Sequence, residues 1–315
     1  MMRARSAGYM ALGMVALTGG LLAAPAGPVT LSPQAARAAI AEIEKDRTTT
    51  QAWLKSDPTS YLATIDRRDF AGRRTLTVGR AADNDLRVDD QAFSAHHLRV
   101  TVEGERFRVE RSDATVAFEV QGKTGFEPAS SGTALVGPSS AKVGRFLVRL
   151  SHQGFPGLIL FDPQSPRFAR YKGLRYFPPD LSYRYELPLT PNPAQDVVVI
   201  LSTRGNQRRA MRVGWFDFTV GGRPARLEAV RLLEPGVGEH DLSIFFRDAT
   251  TGAESYGLGR YVDVKKQPNG LFLLDFNLAY NPACAYSEHY NCPIPPRANA
   301  LPMAIRAGEM DSHYY

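Results

Sequence analysis

The sequence predicts a mainly β protein: one N-terminal helix, an antiparallel β-sandwich, then a second antiparallel β-sheet or barrel-like domain. From Thr75 to Leu150, short segments alternate apolar and polar residues with period two, as half-buried strands do. Asn84-Asp85, Glu103-Gly104 and Ser130-Ser131-Gly132 supply the turns between them. After Phe168 more short strands follow, with no long amphipathic helix among them.

Arg3 and Arg5 precede an apolar run from Tyr9 to Ala24, and Ala24-Pro25-Ala26 has the small-x-small pattern of a cleavage site. Residues 1–26 are therefore predicted to be a secretory signal peptide. The run is short of the ~20 apolar residues that span a bilayer, so membrane contact is expected only through an uncleaved signal. The mature chain is expected to be periplasmic or secreted.

Residues 27–65 hold the helix and a linker. Ser32 is the N-cap and Pro33 the first helical residue. Ile40, Ile43 and Trp53 are among its apolar positions, and Glu42, Glu44, Lys45 and Asp46 are expected in solvent. Pro58 ends the segment. Residues 66–153 form the sandwich, with strands at Leu76–Val78, Leu98–Val102, Phe107–Val109 and Phe146–Leu150. Gly154-Phe-Pro156-Gly157 and Asp162–Pro166 mark the linker. Residues 168–315 form the second domain. Val197–Thr203, a near-continuous apolar run, is expected as a central strand. Met211–Phe218, Arg226–Leu233, Asp241–Phe246, Arg260–Val264, Leu271–Asn277 and Met303–Ala307 complete a meander.

The formal charge is +6. Loss of the two signal arginines lowers it to about +4, spread along the chain. The densest basic run, Arg204 to Arg212, reads as a hairpin turn with basic flanks. A nucleic-acid surface would want a larger stripe with stacking aromatics, so no nucleic-acid partner is expected. No Gly-x-Ser-x-Gly elbow, His-Glu-x-x-His, P-loop or dinucleotide fingerprint is present. This weakens hydrolase, metalloprotease and nucleotide readings and leaves catalysis by unpatterned carboxylates open. No cofactor and no metal are implied. Cys284 and Cys292 are the only cysteines. In an oxidising compartment they read as a disulfide. A metal site would need two further ligands.

Residues 78–100 run Val-Gly-Arg-Ala-Ala-Asp-Asn-Asp-Leu-Arg-Val-Asp-Asp-Gln-Ala-Phe-Ser-Ala-His-His-Leu-Arg-Val. Through Gly79-Arg80, Asn84-Asp85-Leu86, Asp89 and Ser94-x-x-His97 this resembles a forkhead-associated (FHA) domain, from about Asp66 to Leu150. The resemblance implies that Arg80 and Ser94 hold the phosphate of a phosphothreonine while His97 braces the loops. Ser112-Asp113-Ala114-Thr115 stands where the family has its Asn-Gly pair. Phosphothreonine is scarce outside the cytoplasm. The site is therefore expected to be retired, with Arg80 paired to Asp89 or Asp90 and His97 bonded to backbone.

The C-terminal half contains Tyr256-Gly-Leu-Gly-Arg-Tyr261, Leu274-Asp-Phe-Asn-Leu-Ala-Tyr-Asn-Pro-Ala-Cys-Ala285 and Cys292-Pro-Ile-Pro-Pro-Arg-Ala-Asn299. These segments resemble the bacterial exported family known as domain of unknown function 1684. The resemblance, from about Gln51 to Glu309, implies a fold and no reaction. On the strands themselves, pairing of Val264 with Leu271 would set Arg260 opposite Asp275. That pair would be a structural one, or one wall of a polar pocket completed by Asn277, Tyr280, Asn281 and Asn299. The leading expectation is an exported, non-catalytic protein that binds a small polar ligand or an envelope protein. The alternatives are a carboxylate-based envelope hydrolase drawing on Asp248, Glu254, Asp275 and Glu309, and a phosphothreonine-peptide reader using Arg80 and Ser94.

Overall fold

The computed structural model describes residues 26–311. The predicted signal peptide lies outside the described residues, apart from its last, Ala26. Among the described residues no helix is long and apolar enough to cross a membrane.

Helix α1 spans Pro33–Ser56, and Ser32 Oγ accepts a hydrogen bond from Ala35 N–H at 3.3 Å. Ala39, Ile43, Arg47 and Leu54 are its buried positions, roughly one face at helical spacing. Arg47 breaks the apolar pattern, with its guanidinium 4.7 Å over the ring of Tyr176.

Eleven strands make the sandwich. They are β1 (Thr64–Asp69), β2 (Thr75–Gly79), β3 (Leu86–Arg87), β4 (Leu98–Glu103), β5 (Arg106–Arg111), β6 (Glu119–Gln121), β7 (Phe126–Pro128), β8 (Thr133–Val136), β9 (Ser139–Val143), β10 (Phe146–His152) and β11 (Pro156–Phe161). One sheet has the order β3-β2-β4-β5-β8, the other β1-β11-β10-β9-β6-β7. Phe70, Phe93, Phe107, Phe146, Val100 and Val148 fill the space between them. The segment read as linker at Gly154–Gly157 is instead the turn into β11, which pairs with both β1 and β10. Its residues Leu158–Phe161 are buried, so the apolar run belongs to the sandwich.

The second domain has β12 (Arg184–Leu187), β13 (Thr190–Pro191), β14 (Val197–Ile200), β15 (Arg208–Val220), β16 (Arg223–Leu232), β17 (Leu242–Phe246), β18 (Arg260–Lys266) and β19 (Phe272–Asp275). They form one antiparallel sheet, ordered β12-β19-β18-β17-β16-β15-β13, with β14 also on β15. The sheet curls until its ends meet. Tyr185 Oη on β12 donates to Thr219 O on β15 at 3.0 Å. The incoming chain lies in this seam: Thr219 N–H donates to Ala26 O and Val29 N–H to Arg184 O, both at 2.9 Å. Phe216, Phe218, Phe246, Phe276 and Tyr185 pack inside.

Three sequence expectations change here. Val197–Thr203 is not a central strand. It contributes the edge strand β14, with Val197, Val199 and Leu201 exposed. Alternation, rather than the apolar run, describes it, since Val198 and Ile200 face the core. Met303–Ala307 forms no strand, because the carbonyls of Ile305 and Ala307 accept from the Arg260 guanidinium instead. The β18–β19 register also shifts. Lys265 pairs with Leu273 and Lys266 with Phe272. The turn is the tight Pro268-Asn269-Gly270, closed by Gln267 N–H to Leu271 O at 2.7 Å, with Gly270 at φ +83°. Arg260 and Asp275 are therefore not cross-strand partners.

Candidate ligand site

Between α1 and the second domain lies a cavity of about 300 Å3. From α1 come Asp46, Thr50, Trp53 and Leu54, the i, i+4, i+7, i+8 positions of one face. Tyr61 follows the helix. The barrel supplies Asp263, Lys265, Leu278, Tyr280, Asn281, Tyr286 and Glu309. Asp46, Asp263 and Lys265 are exposed and form the rim, whereas Leu54, Asn281, Tyr286 and Glu309 are buried at the floor.

Local backbone chemistry places Glu309. Gly308 has φ +79°, and a Cβ there would lie 2.6 Å from the carbonyl oxygens of both Ala279 and Phe276. Only glycine fits, and the chain passes close enough for Glu309 N–H to donate to Ala279 O at 2.8 Å. The Glu309 side chain then meets Asn281. Asn281 N–H donates to Oε2 at 2.9 Å and Asn281 Nδ2 to Oε1 at 3.1 Å, and the Tyr286 hydroxyl also donates to Oε1. Burial pushes the Glu309 carboxyl up to about 7, against the pull of these hydrogen bonds toward the charged form. Among the described residues no cation forms an ion pair with it. Asn281 Oδ1 is buried and accepts no hydrogen bond.

The aromatic rings are packed as a set. Trp53 and Tyr61 stand edge to face at 4.8 Å, and Tyr61 stacks on Tyr286 at 5.4 Å. Tyr280 Oη donates to Asp263 Oδ2 at 3.1 Å. Burial drives the Tyr61 and Tyr280 hydroxyls up, so both stay protonated donors.

Of the residues singled out in the sequence, Tyr280, Asn281 and Glu309 meet here, and the others do not. Arg260 pairs with Asp248 at 2.6 Å, both side chains being buried. Asp275 pairs with Arg184 at 2.5 Å and accepts from the backbone and side-chain N–H groups of Asn277. Asn277 in turn clamps both backbone groups of Asp180 at 2.8 Å. Asn299 ties the backbones of Glu228 and Phe245 together. Glu254 forms an exposed pair with Arg306. Three of the four candidate carboxylates are thus neutralised by arginine, and Glu309 alone is not. Asp46, Thr50, Trp53, Tyr61, Asp263 and Tyr286 were missed. The helical spacing of Asp46, Thr50 and Trp53 was the one available signal for a shared face.

No disulfide joins the cysteines. Cys284 N–H donates to Cys292 Sγ at 3.2 Å, and the two sit side by side as thiols. Hydrogen bonding between the thiols lowers the pKa of Cys284 and raises that of Cys292. Among the described residues no group of three or more His, Cys, Asp or Glu side chains is placed to hold a metal ion. The basic run is largely neutralised: Arg204 meets Asp69, Arg208 meets Glu234, and Arg212 bridges Asp196 and Glu228.

At the loop end of the sandwich, His97 Nδ1 accepts from Ser94 N–H at 3.2 Å and its Nε2 bonds Ala117 O at 3.1 Å. Burial lowers its pKa and keeps the ring neutral, as that accepting Nδ1 requires. Arg80 is exposed. Its expected acidic partners are engaged elsewhere, Asp89 with Arg87 at 3.7 Å and Asp90 with Arg145 at 2.8 Å. Among the described residues Arg80 has no ion pair.

Residues 169–310 match the family described as protein of unknown function (DUF1684), and residues 76–122 match the FHA domain. Comparison with curated proteins gave no match. Among solved structures, an uncharacterised protein of Haloarcula marismortui is 36% identical over 47% of this chain and 80% of that one, with a TM-score of 0.38. EmbR of Mycobacterium tuberculosis, solved with a low affinity phosphopeptide, is 15% identical over 41% of this chain and 31% of its own, with a TM-score of 0.21. The chain thus spans about a third of EmbR. The protein is a mainly β member of the DUF1684 family that carries an FHA domain ahead of its DUF1684 domain.

Proposed function

We propose that this protein is an exported, non-catalytic binding protein whose site for a small polar ligand is the cavity capped by α1. The observation that carries this is Asn281, a residue lining the cavity whose buried Oδ1 has no hydrogen-bond donor, beside a lining carboxyl without an ion-pair partner among the described residues. A buried polar atom left unbonded costs about 1–3 kcal/mol, which a ligand donor would recover. The volume is at the small end of ligand pockets. The envelope as the source of the ligand rests on the signal-like first 26 residues. N-terminal sequencing of protein from its host should give a start near Gly27. An intact Met1 on cytoplasmic protein would remove that support. The test of the site is Thr50→Trp, which fills the cavity from the helix side. It should abolish binding of a panel comprising choline, glucose and glycine, measured by calorimetry, with the fold retained by circular dichroism. Undiminished binding by this variant would sink the assignment.

In the same oxidising surroundings Cys284 and Cys292 are proposed to form a disulfide by thiol–disulfide exchange, the two thiol hydrogens passing to a disulfide of the envelope's oxidising machinery, which is reduced to a dithiol. Protein from the host should then be 2 Da lighter than its reduced form, on the order of one lost pair of hydrogens.

A second reading has its own support. Arg80 is exposed and without an acid partner, and His97 braces the Ser94 loop. A guanidinium beside a hydroxyl suits a phosphate. If the sandwich reads phosphothreonine, a phosphothreonine peptide library should bind with micromolar affinity and lose at least roughly tenfold in Arg80→Ala. No binding by the parent protein removes this reading and leaves the cavity untouched.

A further inference from the structure

We infer that the ligand of the capped cavity is a small organic ammonium ion that also carries an O–H or N–H donor. The inference rests on the binding role proposed above and adds the chemistry of the ligand. The lining is acidic, with Glu309 at the floor and Asp46 and Asp263 at the rim, against the single cation Lys265. It is also aromatic, with Trp53, Tyr61, Tyr280 and Tyr286. Ring faces and carboxylates together attract a cation with an apolar shell, and such groupings recognise alkylammonium heads.

Glu309 points to this class more narrowly. Its oxygens already accept from Asn281 N–H, Asn281 Nδ2 and the Tyr286 hydroxyl. A strongly donating ligand such as a sugar finds few free acceptor sites there. An alkylated ammonium needs none, since it interacts through charge alone. What the carboxyl lacks is a counter-ion, not a donor. Burial also raises the carboxyl's proton affinity, and the more distant charge of Arg260 offsets only part of that rise. Asn281 Oδ1, in contrast, lacks a donor. A charged head facing Glu309 and one hydroxyl or N–H reaching Asn281 satisfy both. The volume of about 300 Å3 suits a small molecule, or one such group at the end of a larger molecule.

The test compares choline with its uncharged isostere 3,3-dimethylbutan-1-ol and with glucose, by calorimetry on the mature chain. Choline should bind at least tenfold more tightly than the isostere. Glu309→Gln, which removes the charge at nearly constant shape, should erase that preference. Should this variant not fold, Asp263→Asn at the exposed rim should weaken choline by roughly threefold and leave the isostere unchanged. Equal affinity for choline and isostere would overturn the inference, as would tight glucose binding without choline binding. In either case the cavity remains a ligand site if Thr50→Trp abolishes what does bind. Binding of none of these compounds would overturn both. Sedimentation with phosphatidylcholine vesicles separates the two sources of such a head. Co-sedimentation that free choline competes away assigns a lipid headgroup, and its absence assigns a free ammonium compound.

Discussion

Arg260→Ala is expected to destabilise the C-terminal domain by about 3–5 kcal/mol, the usual result of removing one partner from a buried ion pair. Its guanidinium lies 2.6 Å from Asp248 Oδ2, with side-chain exposures of 1% and 0%. It also donates to the carbonyls of Ile305 at 2.8 Å, Ala307 at 2.5 Å and Glu309 at 3.2 Å. Removing it strands a buried carboxylate and three carbonyls together. Asp248→Ala should cost a similar amount, because Asp248 also accepts from Thr250 N–H at 2.7 Å. The double variant should lose clearly less than the sum, since the sites are coupled. Trp53 packs against this domain and Trp215 lies within it, and they are the only tryptophans. Their fluorescence in urea therefore reports on this domain. Additive losses below ~1 kcal/mol each would mean that the pair is solvated.

Stability should also fall as pH rises from about 4.5 to about 7, and Glu309 is the cause. Its folded carboxyl titrates near 7, above an ordinary value of 4.5, because it is buried. The folded state therefore holds more protons than the unfolded state between those limits. The favourable contribution is fully present below the lower value and is lost as pH passes the upper one. A shift of this size corresponds to about 3 kcal/mol. Urea midpoints at pH 5 and pH 8 should differ accordingly in the parent protein, and Glu309→Gln should flatten the difference. A change in midpoint between pH 5 and pH 8 that Glu309→Gln leaves unaltered contradicts the unpaired, buried state of Glu309.

Local chemistry was legible in the sequence, and long-range pairing was not. Ser32-Pro33 marks the start of α1, and alternation marks β2, β4, β5 and β10, because caps and periods are properties of neighbouring residues. The apolar run at Val197 misled, because the identity of its residues suggested burial while its place at the sheet edge left alternate side chains in solvent. Arg260 was singled out as one member of an ion pair, but its partner depended on a register that one tight Pro-Asn-Gly turn decides. Asn277 and Asn299 looked like ligand donors. They serve as clamps on backbone groups from residues 97 and 71 positions away, respectively. The cavity joins α1 to segments more than 200 residues later, and no local period records that meeting. Tyr280 and Asn281 were found through their motif, whereas the helix that completes their site was read only as an amphipathic segment.

The central claim is that the space between α1 and the barrel holds a ligand, and backbone and side-chain amide NMR of the 15N-labelled protein tests it most directly. On titration with choline, the Trp53 indole N–H and the Asn281 side-chain amide should shift together and saturate at one affinity, while the Trp215 indole stays in place. Shifts confined to the loops around Arg80 and Ser94, or movement of both indoles without Asn281, would contradict it.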